Sequence, residues 1–313
     1  MDAFDKVLLV ANPLSGGGRA GRCVDTVRAA LADGGLDCEA VLTQRQGDGE
    51  AAARDCEGER PLLVAFGGDG TFNEVLNGAD LARATLAIIP AGTGNVLAKE
   101  LGVPRQPARA ARLLAGGRCV RMDVGVCNGR RFACVFGAGL DARIVETVHS
   151  RRGASMSKLR YLPHIVRAVV GMPPWRIRVV GGDRTLAEGV RQVIIANTRS
   201  YGGPMCPASA AGPHDGELDA MCARMDGPVN VAAAFAGALA GMLHRCGAVC
   251  YARGRRFRVE APGQQVPYQI DGEAAGFLPA EVGIMPDGAR LLVPAAYTER
   301  SPRKIAGTAA KGR

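Results

Sequence analysis

The first part of the chain alternates short apolar runs with amphipathic stretches, and the breaks between them are rich in glycine. Apolar runs over 6–11, 36–42, 62–66 and 85–89 have the length and continuity of strands buried on both faces. Between them lie helical periods. Val24, Val27 and Leu31 fall on one face, and another amphipathic run opens after Gly70. Strands that alternate with helices predict an α/β unit with an open parallel sheet. From Val120 the pattern changes to short alternating runs, and Asn128 with Gly129, between VRMDVGVC and RRFACVFGAG, is a hairpin signal. Further strands are predicted over 176–180, 191–197, 218–223, 255–260, 268–270 and 280–285. The second part therefore reads as a mainly antiparallel β domain. Between the hairpin and those strands, residues 142–175 interleave Arg151, Arg152, Lys158, Arg160 and Arg167 with Leu159, Tyr161, Leu162 and Ile165. Such a helix suits anionic lipid headgroups, and equally suits a domain linker whose arginines form a solvated face.

Composition narrows the picture. With 313 residues, 47% apolar and 22% charged, the chain has room for two domains with their own cores. Its ten cysteines form no CxxC pair and have no histidine partner at zinc spacing, so Cys246 and Cys250 are expected to be buried thiols in a reducing cytosol. The start, MDAFDKVLLVANP, carries no secretory signal, and the weakly polar run over 229–243 is shorter than the roughly 20 residues of a membrane span. A formal charge of +9 fits a nucleotide or an anionic membrane surface. Aromatic residues at 4% leave little for base stacking, so no nucleic-acid partner is expected. The tail over 299–313 is small, basic and expected to be disordered.

The candidate chemistry lies in the glycine-rich breaks. In PLLVAFGGDGTFNEVLNG, Gly67, Gly68 and Gly70 stand between strand and helix, where backbone N–H groups and the helix dipole favour a phosphate. Asp69 is the odd member. A carboxylate beside a phosphate cradle repels its ligand unless a divalent cation or a proton lies between them, so it points to Mg²⁺ and phosphoryl transfer. The plain alternative is a tight turn with an Asp helix cap. NPLSGGGRAG over 12–21 is a second such loop. It contains GxGxxG at Gly16, Gly18 and Gly21, but residues 12–15 intervene after the strand and the second strand ends in Thr43 and Gln44 without an acid. That argues against a Rossmann dinucleotide site, and the absence of GxxxxGK[ST] excludes a Walker loop. PAGTGNVLAKEL over 90–101 is a third glycine turn opening a helix. Three such turns would meet at the carboxyl edge of one parallel sheet, where one nucleotide could touch them all. The histidines have no metal-ligand spacing.

Taken in order, NPLSGGG, Thr43, GGDGTFNEVLNG, PAGTGN, YGG, DGELD and DGE resemble the diacylglycerol kinase catalytic-domain family, which includes bacterial lipid kinases and sphingosine kinases. The resemblance implies a nucleotide-binding α/β domain over 1–122, completed by about 287–298, and a β-sandwich lipid domain over 123–286. It further implies ATP and Mg²⁺ as cofactors, with Asn12, Pro13, Ser15, Gly16, Thr43, Gly67, Gly68, Gly70, Thr71, Glu74, Thr93 and Asn95 around the nucleotide. Asp69 is implied as catalytic metal ligand, Asp215 of DGELD as structural Mg²⁺ ligand, and Glu273 of DGE as general base facing the nucleotide across an interdomain cleft. As plain sequence, DGELD and DGE also read as surface turns. The implied activity is phosphoryl transfer to an alcohol of a lipid in phospholipid biosynthesis, by a cytoplasmic protein associating peripherally with anionic membrane; a homodimer is left open.

One departure bears on the acceptor. Val96, then Leu97 and Ala98, follow GTGN where diacylglycerol kinases and their close bacterial relatives continue with Asp. This form is closer to sphingosine kinases and to uncharacterised bacterial members of the family, so the acceptor is left between a diacylglycerol-like and a sphingoid lipid. Two competing readings remain: an NAD kinase-like enzyme with a soluble acceptor, against which NPLSGGG and PAGTGN argue, and a non-catalytic lipid- or nucleotide-binding regulator, which would have no use for Asp69 and Glu273 as carboxylates.

Overall fold

The computed structural model describes residues 4–149, 171, 173–201 and 205–299. Its contacts divide the chain into two units, one of residues 1–124 and 286–300, the other of 125–285 and 301–313.

The first unit runs β1 (Lys6–Ala11), α1 (Ser15–Ala32), β2 (Glu39–Leu42), α2 (Asp48–Arg54), β3 (Pro61–Gly67), α3 (Asp69–Gly78), β4 (Thr85–Pro90), α4 (Val96–Glu100) and α5 (Pro107–Ala115). Every residue of β3 and β4 is buried, as a parallel strand covered on both faces requires. In α1 the buried residues Ala20, Val24, Val27 and Leu31 recur every three or four positions, so one stripe meets the sheet. The strands pair in parallel in the order β2, β1, β3, β4. The chain moves outward from β1 to β2, then returns to β3 on the other side. Because such crossovers are right-handed, the helices after β1 and β3 lie on opposite faces, and a crevice opens where those strands end.

One boundary of the expected second strand moves. Leu36 and Cys38 are buried but precede β2, because the chain from Asp33 to Leu36 closes α1: Leu36 N–H returns to the Leu31 carbonyl at 2.9 Å, through Gly35 at φ +83°.

The second unit begins within β5 (Arg118–Cys127) and continues through β6 (Arg130–Phe132), β7 (Val135–Gly139), α6 (Leu140–His149), β8 (Ile177–Gly181), β9 (Arg184–Val190), β10 (Gln192–Ala196), β11 (Leu218–Ala223), α7 (Gly227–Leu239), β12 (Val249–Gly254), β13 (Arg256–Glu260), β14 (Pro267–Ile270), β15 (Glu273–Phe277) and β16 (Ala280–Val293). The β5–β6 turn takes positive φ at both Asn128 and Gly129, as a two-residue hairpin demands. One antiparallel sheet has the order β12, β11, β10, β7, β14, β15; in another, β16, β13, β8 and β9 lie side by side. Phe136, Val193, Ile195, Leu218 and Tyr268 of the first sheet share one buried cluster with Ile177, Val179, Phe257, Val259 and Val282 of the second. This is the β-sandwich.

The far end of β16 belongs to the first unit, where Arg290 and Leu291 pair in parallel with Thr85 and Leu86 of β4. All ten cysteines are free thiols, Cys250 buried and Cys246 half-buried. Among the described residues no helix is long and apolar enough to cross a membrane. Most of the basic amphipathic stretch and nearly all of the tail lie outside the described residues.

Candidate functional site

The site grows from the carboxyl ends of β1, β3 and β4, where three loops are fastened to one another through backbone. The Asn12 N–H donates to the Phe66 carbonyl at 3.0 Å, and the Gly67 carbonyl accepts from Ala91 N–H at 2.7 Å and Gly92 N–H at 3.2 Å. Side chains are excluded at these crossings. A Cβ on Gly92 would lie 2.7 Å from Gly68 Cα, and one on Gly16 would lie 2.1 Å from the Ala91 carbonyl oxygen. Gly16, Gly17 and Gly18 take left-handed φ of +64°, +69° and +81° in succession, so the chain coils here as only glycine does readily.

Within that frame the predicted residues take distinct places. The Asn12 Oδ1 accepts from Leu14 N–H at 3.1 Å, and Ser15 N–H donates to the Asn12 carbonyl, which tightens the first loop around Pro13. Thr71 is buried, its hydroxyl in space that a Cβ on Gly67 would fill, and Gly70 beside it is half-buried. Thr93 and Gly94 are exposed at the crest of the third loop. Asn95 is buried at 3% exposure with φ +49°, its amide donating to the Gly92 carbonyl at 2.7 Å while its Oδ1 has no protein partner. That buried acceptor faces a region where a ligand donor or a water is needed to satisfy it. Asp69 opens α3, and its Oδ1 accepts from Leu97 N–H in α4 at 3.2 Å. A methyl on Gly94 would come 3.0 Å from the Asp69 Oδ2, so the carboxylate lies between the second and third loops. Hard carboxylate oxygen is what Mg²⁺ takes, so this donor fits that cation.

Glu74 and Thr43 meet the same edge from the side. Thr43 is buried beside β1, its N–H on the Ala11 carbonyl at 2.9 Å. The two Glu74 oxygens accept from Gly47 N–H at 2.9 Å and Gly49 N–H at 3.0 Å. They bind the start of α2, where a carboxylate meets the helix dipole, and hold the loop that follows Thr43. Glu74 acts here as a fastener for the loop.

In the second unit the DGELD carboxylates gather around one guanidinium. Arg253 of β12 reaches Asp215 at 2.5 Å, Glu217 at 3.3 Å and Asp219 at 3.7 Å. Asp219 is fully buried and also accepts from the Tyr251 hydroxyl. Burial pushes its carboxyl up to about 6, against the opposing pull of Tyr251 and Arg253. Among the described residues no group of three or more His, Cys, Asp or Glu is arranged to hold a metal ion. Sequence reasoning missed Arg253, which lies 34 positions beyond Asp219 and meets it only through the pairing of β11 with β12.

The DGE turn is built by a change of sheet. Between β6 and β7 the chain leaves one sheet for the other, so the N–H groups of 133–135 lose regular ladder partners. The Asp271 carboxylate takes them, accepting from Ala133, Cys134 and Val135 at 2.8, 2.8 and 2.9 Å. Asp271 itself stands at φ +50° and Gly272 at +85°, so the turn is tight, and half-buried Glu273 follows as the first residue of β15. The anchoring role of Asp271 was also missed; only the close spacing of its turn residues signals it.

Comparison with known proteins places these features. Residues 6–127 match the model for the diacylglycerol kinase catalytic domain, and residues 134–293 match that for the YegS C-terminal NAD kinase beta sandwich-like domain. A diacylglycerol kinase of Mycobacterium tuberculosis (strain ATCC 25618 / H37Rv) is 30% identical over 301 residues, covering 92% of this chain and 95% of that protein. One of Bacillus subtilis (strain 168) is 27% identical over 277 residues, covering 87% and 91%. A crystal structure of a diacylglycerol kinase from Bacillus anthracis str. Sterne superposes with a TM-score of 0.75 at 24% identity, covering 94% of this chain and 98% of that one, and shares its fold.

Removing the Glu74 carboxylate tests the fastening of the loop. Glu74→Ala leaves two N–H groups without their charged acceptor, so unfolding in urea is expected to show a loss of about 1–3 kcal/mol. Amide exchange at 47–49 should accelerate in the same variant, and unchanged exchange there would refute the fastening.

Proposed function

The chain belongs to the diacylglycerol kinase catalytic-domain family, and on that premise we propose that it is an ATP-dependent lipid kinase acting on a hydroxyl of a diacylglycerol-like or sphingoid lipid. One observation carries the reading: three glycine loops are fastened at the switch point of an open parallel sheet, with the Asp69 carboxylate among them. Such crevices bind ligands, and an acid in a glycine cradle has a use in phosphoryl transfer that it lacks in a plain phosphate site.

In this reading the first N–H groups of α3, which have no partner within the helix, receive phosphate oxygens together with the 12–16 loop. Thr43, Thr71, Thr93 and Asn95 orient the nucleotide, and Glu74 keeps the 43–49 loop in place beside it. Mg²⁺, held by Asp69, supplies neutralisation of phosphate charge when bound. A structural cation at Asp215 would share that carboxylate with Arg253. Glu273 is the proposed base: as the acceptor oxygen bonds to phosphorus and the nucleoside diphosphate leaves, the hydroxyl proton passes to its carboxylate. The insolubility of the acceptor calls for reaction at a membrane surface, and the formal charge of +9 favours an anionic one.

The sandwich family's description favours one competing reading, a kinase whose acceptor is a soluble dinucleotide. Labelled ATP offered with a lipid panel, and separately with NAD, separates the two by where the label goes; label on NAD alone would overturn the lipid reading.

Asp69→Asn is expected to abolish transfer without unfolding the protein, because the asparagine oxygen still accepts from Leu97 N–H while an amide is a poor Mg²⁺ ligand. Turnover within about threefold of the parent would sink the metal role, a tenfold change being ~1.4 kcal/mol of barrier. Glu273→Gln is expected to lower kcat by roughly 10² or more with little change in the KM for ATP. A variant that keeps its kcat removes the base assignment. Binding to anionic vesicles should weaken steeply as salt rises to about 0.1 M and beyond, where the screening length falls to about 10 Å. Flotation that ignores salt would count against a charge-driven approach to the membrane.

A further inference from the structure

The second unit hides a carboxylate that the chemistry above does not use. Asp141, in the first turn of α6, is buried at 4% exposure. Space is made for it by Gly137 on β7, where a Cβ would lie 1.7 Å from the Asp141 Oδ2. Burying an acid is costly unless donors surround it, and burial raises the pKa of both Asp141 and its neighbour Tyr201. Two donors do surround it. The Tyr201 hydroxyl donates to Oδ1, and the Gln269 amide Nε2 donates to Oδ2 at 2.7 Å.

Gln269 carries the line onward. Its side chain, fully buried on β14, turns Oε1 to the N–H of Gly272 at 2.7 Å. A backbone N–H can only donate, so the glutamine must offer it oxygen, and the amide nitrogen must then find an acceptor on its other side. Asp141 is that acceptor. The polarity of the line is thus fixed from Tyr201 to the Asp271–Gly272 peptide, whose N–H is that of the residue before Glu273. Asp271 grips the turn on one side of that peptide and Gln269 on the other.

We propose that Tyr201, Asp141 and Gln269 form a positioning relay that fixes the Gly272 peptide and thereby the orientation of the Glu273 carboxylate toward the acceptor hydroxyl. This rests on the reading of Glu273 as base. The three residues touch neither nucleotide nor acceptor in this role; they act through the turn. Gly137 and Gln269 alternate with Phe136, Ala138, Tyr268 and Ile270 of the sandwich core, so the relay lies on the other face of the sheet, beneath α6. A buried polar relay there gains its value by setting one orientation among several, since apolar side chains of the same volume would pack without it.

The test exploits the fixed polarity. Gln269→Glu keeps the acceptor for Gly272 N–H but sets two carboxylates against each other, and kcat is expected to fall roughly tenfold or more at unchanged KM for ATP. Adding Asp141→Asn moves the donor to the other side of the same contact: the asparagine amide donates to the new carboxylate and its oxygen still accepts from Tyr201. The double variant is expected to return to within about threefold of the parent, a recovery that damage to packing alone does not produce. A double variant no better than Gln269→Glu, or a Gln269→Glu enzyme with parent kcat, overturns the proposal. If Gln269→Glu does not fold, Gln269→Met removes both bonds at similar volume, and parent kcat in it overturns the proposal equally. Exchange of the Gly272 amide separates this from failure of the base reading. It should be faster in Gln269→Glu and recover in the double variant even if Glu273→Gln proves fully active, whereas equal exchange in all three proteins refutes the relay.

Discussion

The structure of the first unit depends on how closely three backbones approach at the end of its sheet. The Gly67 carbonyl holds Ala91 and Gly92, Gly68 lies against Gly92, and Gly16 lies against Ala91. A side chain on Gly16 or Gly92 would collide with the facing backbone, so these two glycines are needed for the loops to meet at all, before any ligand is considered. The same approach brings the Asp69 carboxylate to Leu97 and leaves Asn95 buried with an unanswered acceptor. On the proposed reading, packing and binding are one requirement here, because loops that did not touch could not surround a nucleotide.

Acids in this protein serve mainly as fasteners of backbone and arginine. Glu74 binds the start of α2, Asp271 binds three N–H groups left by a strand changing sheets, and Asp215, Glu217 and Asp219 share Arg253. An ionised acceptor makes stronger bonds to N–H than a neutral one, which suits loops that lack a ladder. Asp69 stands five positions before Glu74 on α3, and Glu273 two positions after Asp271.

Much of this was legible in the chain. The buried strands β1, β3 and β4 announce themselves as continuous apolar runs, and Asn128 with Gly129 declares its hairpin. Three strands that gave no signal, β9, β12 and β15, each lie at the end of a sheet in its strand order. An edge strand has one neighbour and a wetter face, and in two of the three the apolar pattern is thin: β15 reads EAAGF and β9 reads RTLAEGV. The motifs marked the three loops that the structure brings together, because glycine turns between strand and helix are local events. The partners of its acids were invisible, since Arg253, Gln269 and the 133–135 segment reach Asp219, Asp141 and Asp271 only through sheet pairing and helix packing far along the chain.

The last strand carries a consequence for how the protein is made. β4 gains a neighbour in Arg290 and Leu291, which pair with Thr85 and Leu86, 205 positions earlier in the chain. At about 5–20 residues per second of synthesis, that separation is on the order of 10–40 s. During it the apolar strand over 85–90 offers an open row of N–H and C=O groups to whatever strand comes near, including the many that emerge in between. Ribosome speed and nascent-chain chaperones therefore bear on the yield of this fold more than they would for a chain whose sheet closes in order.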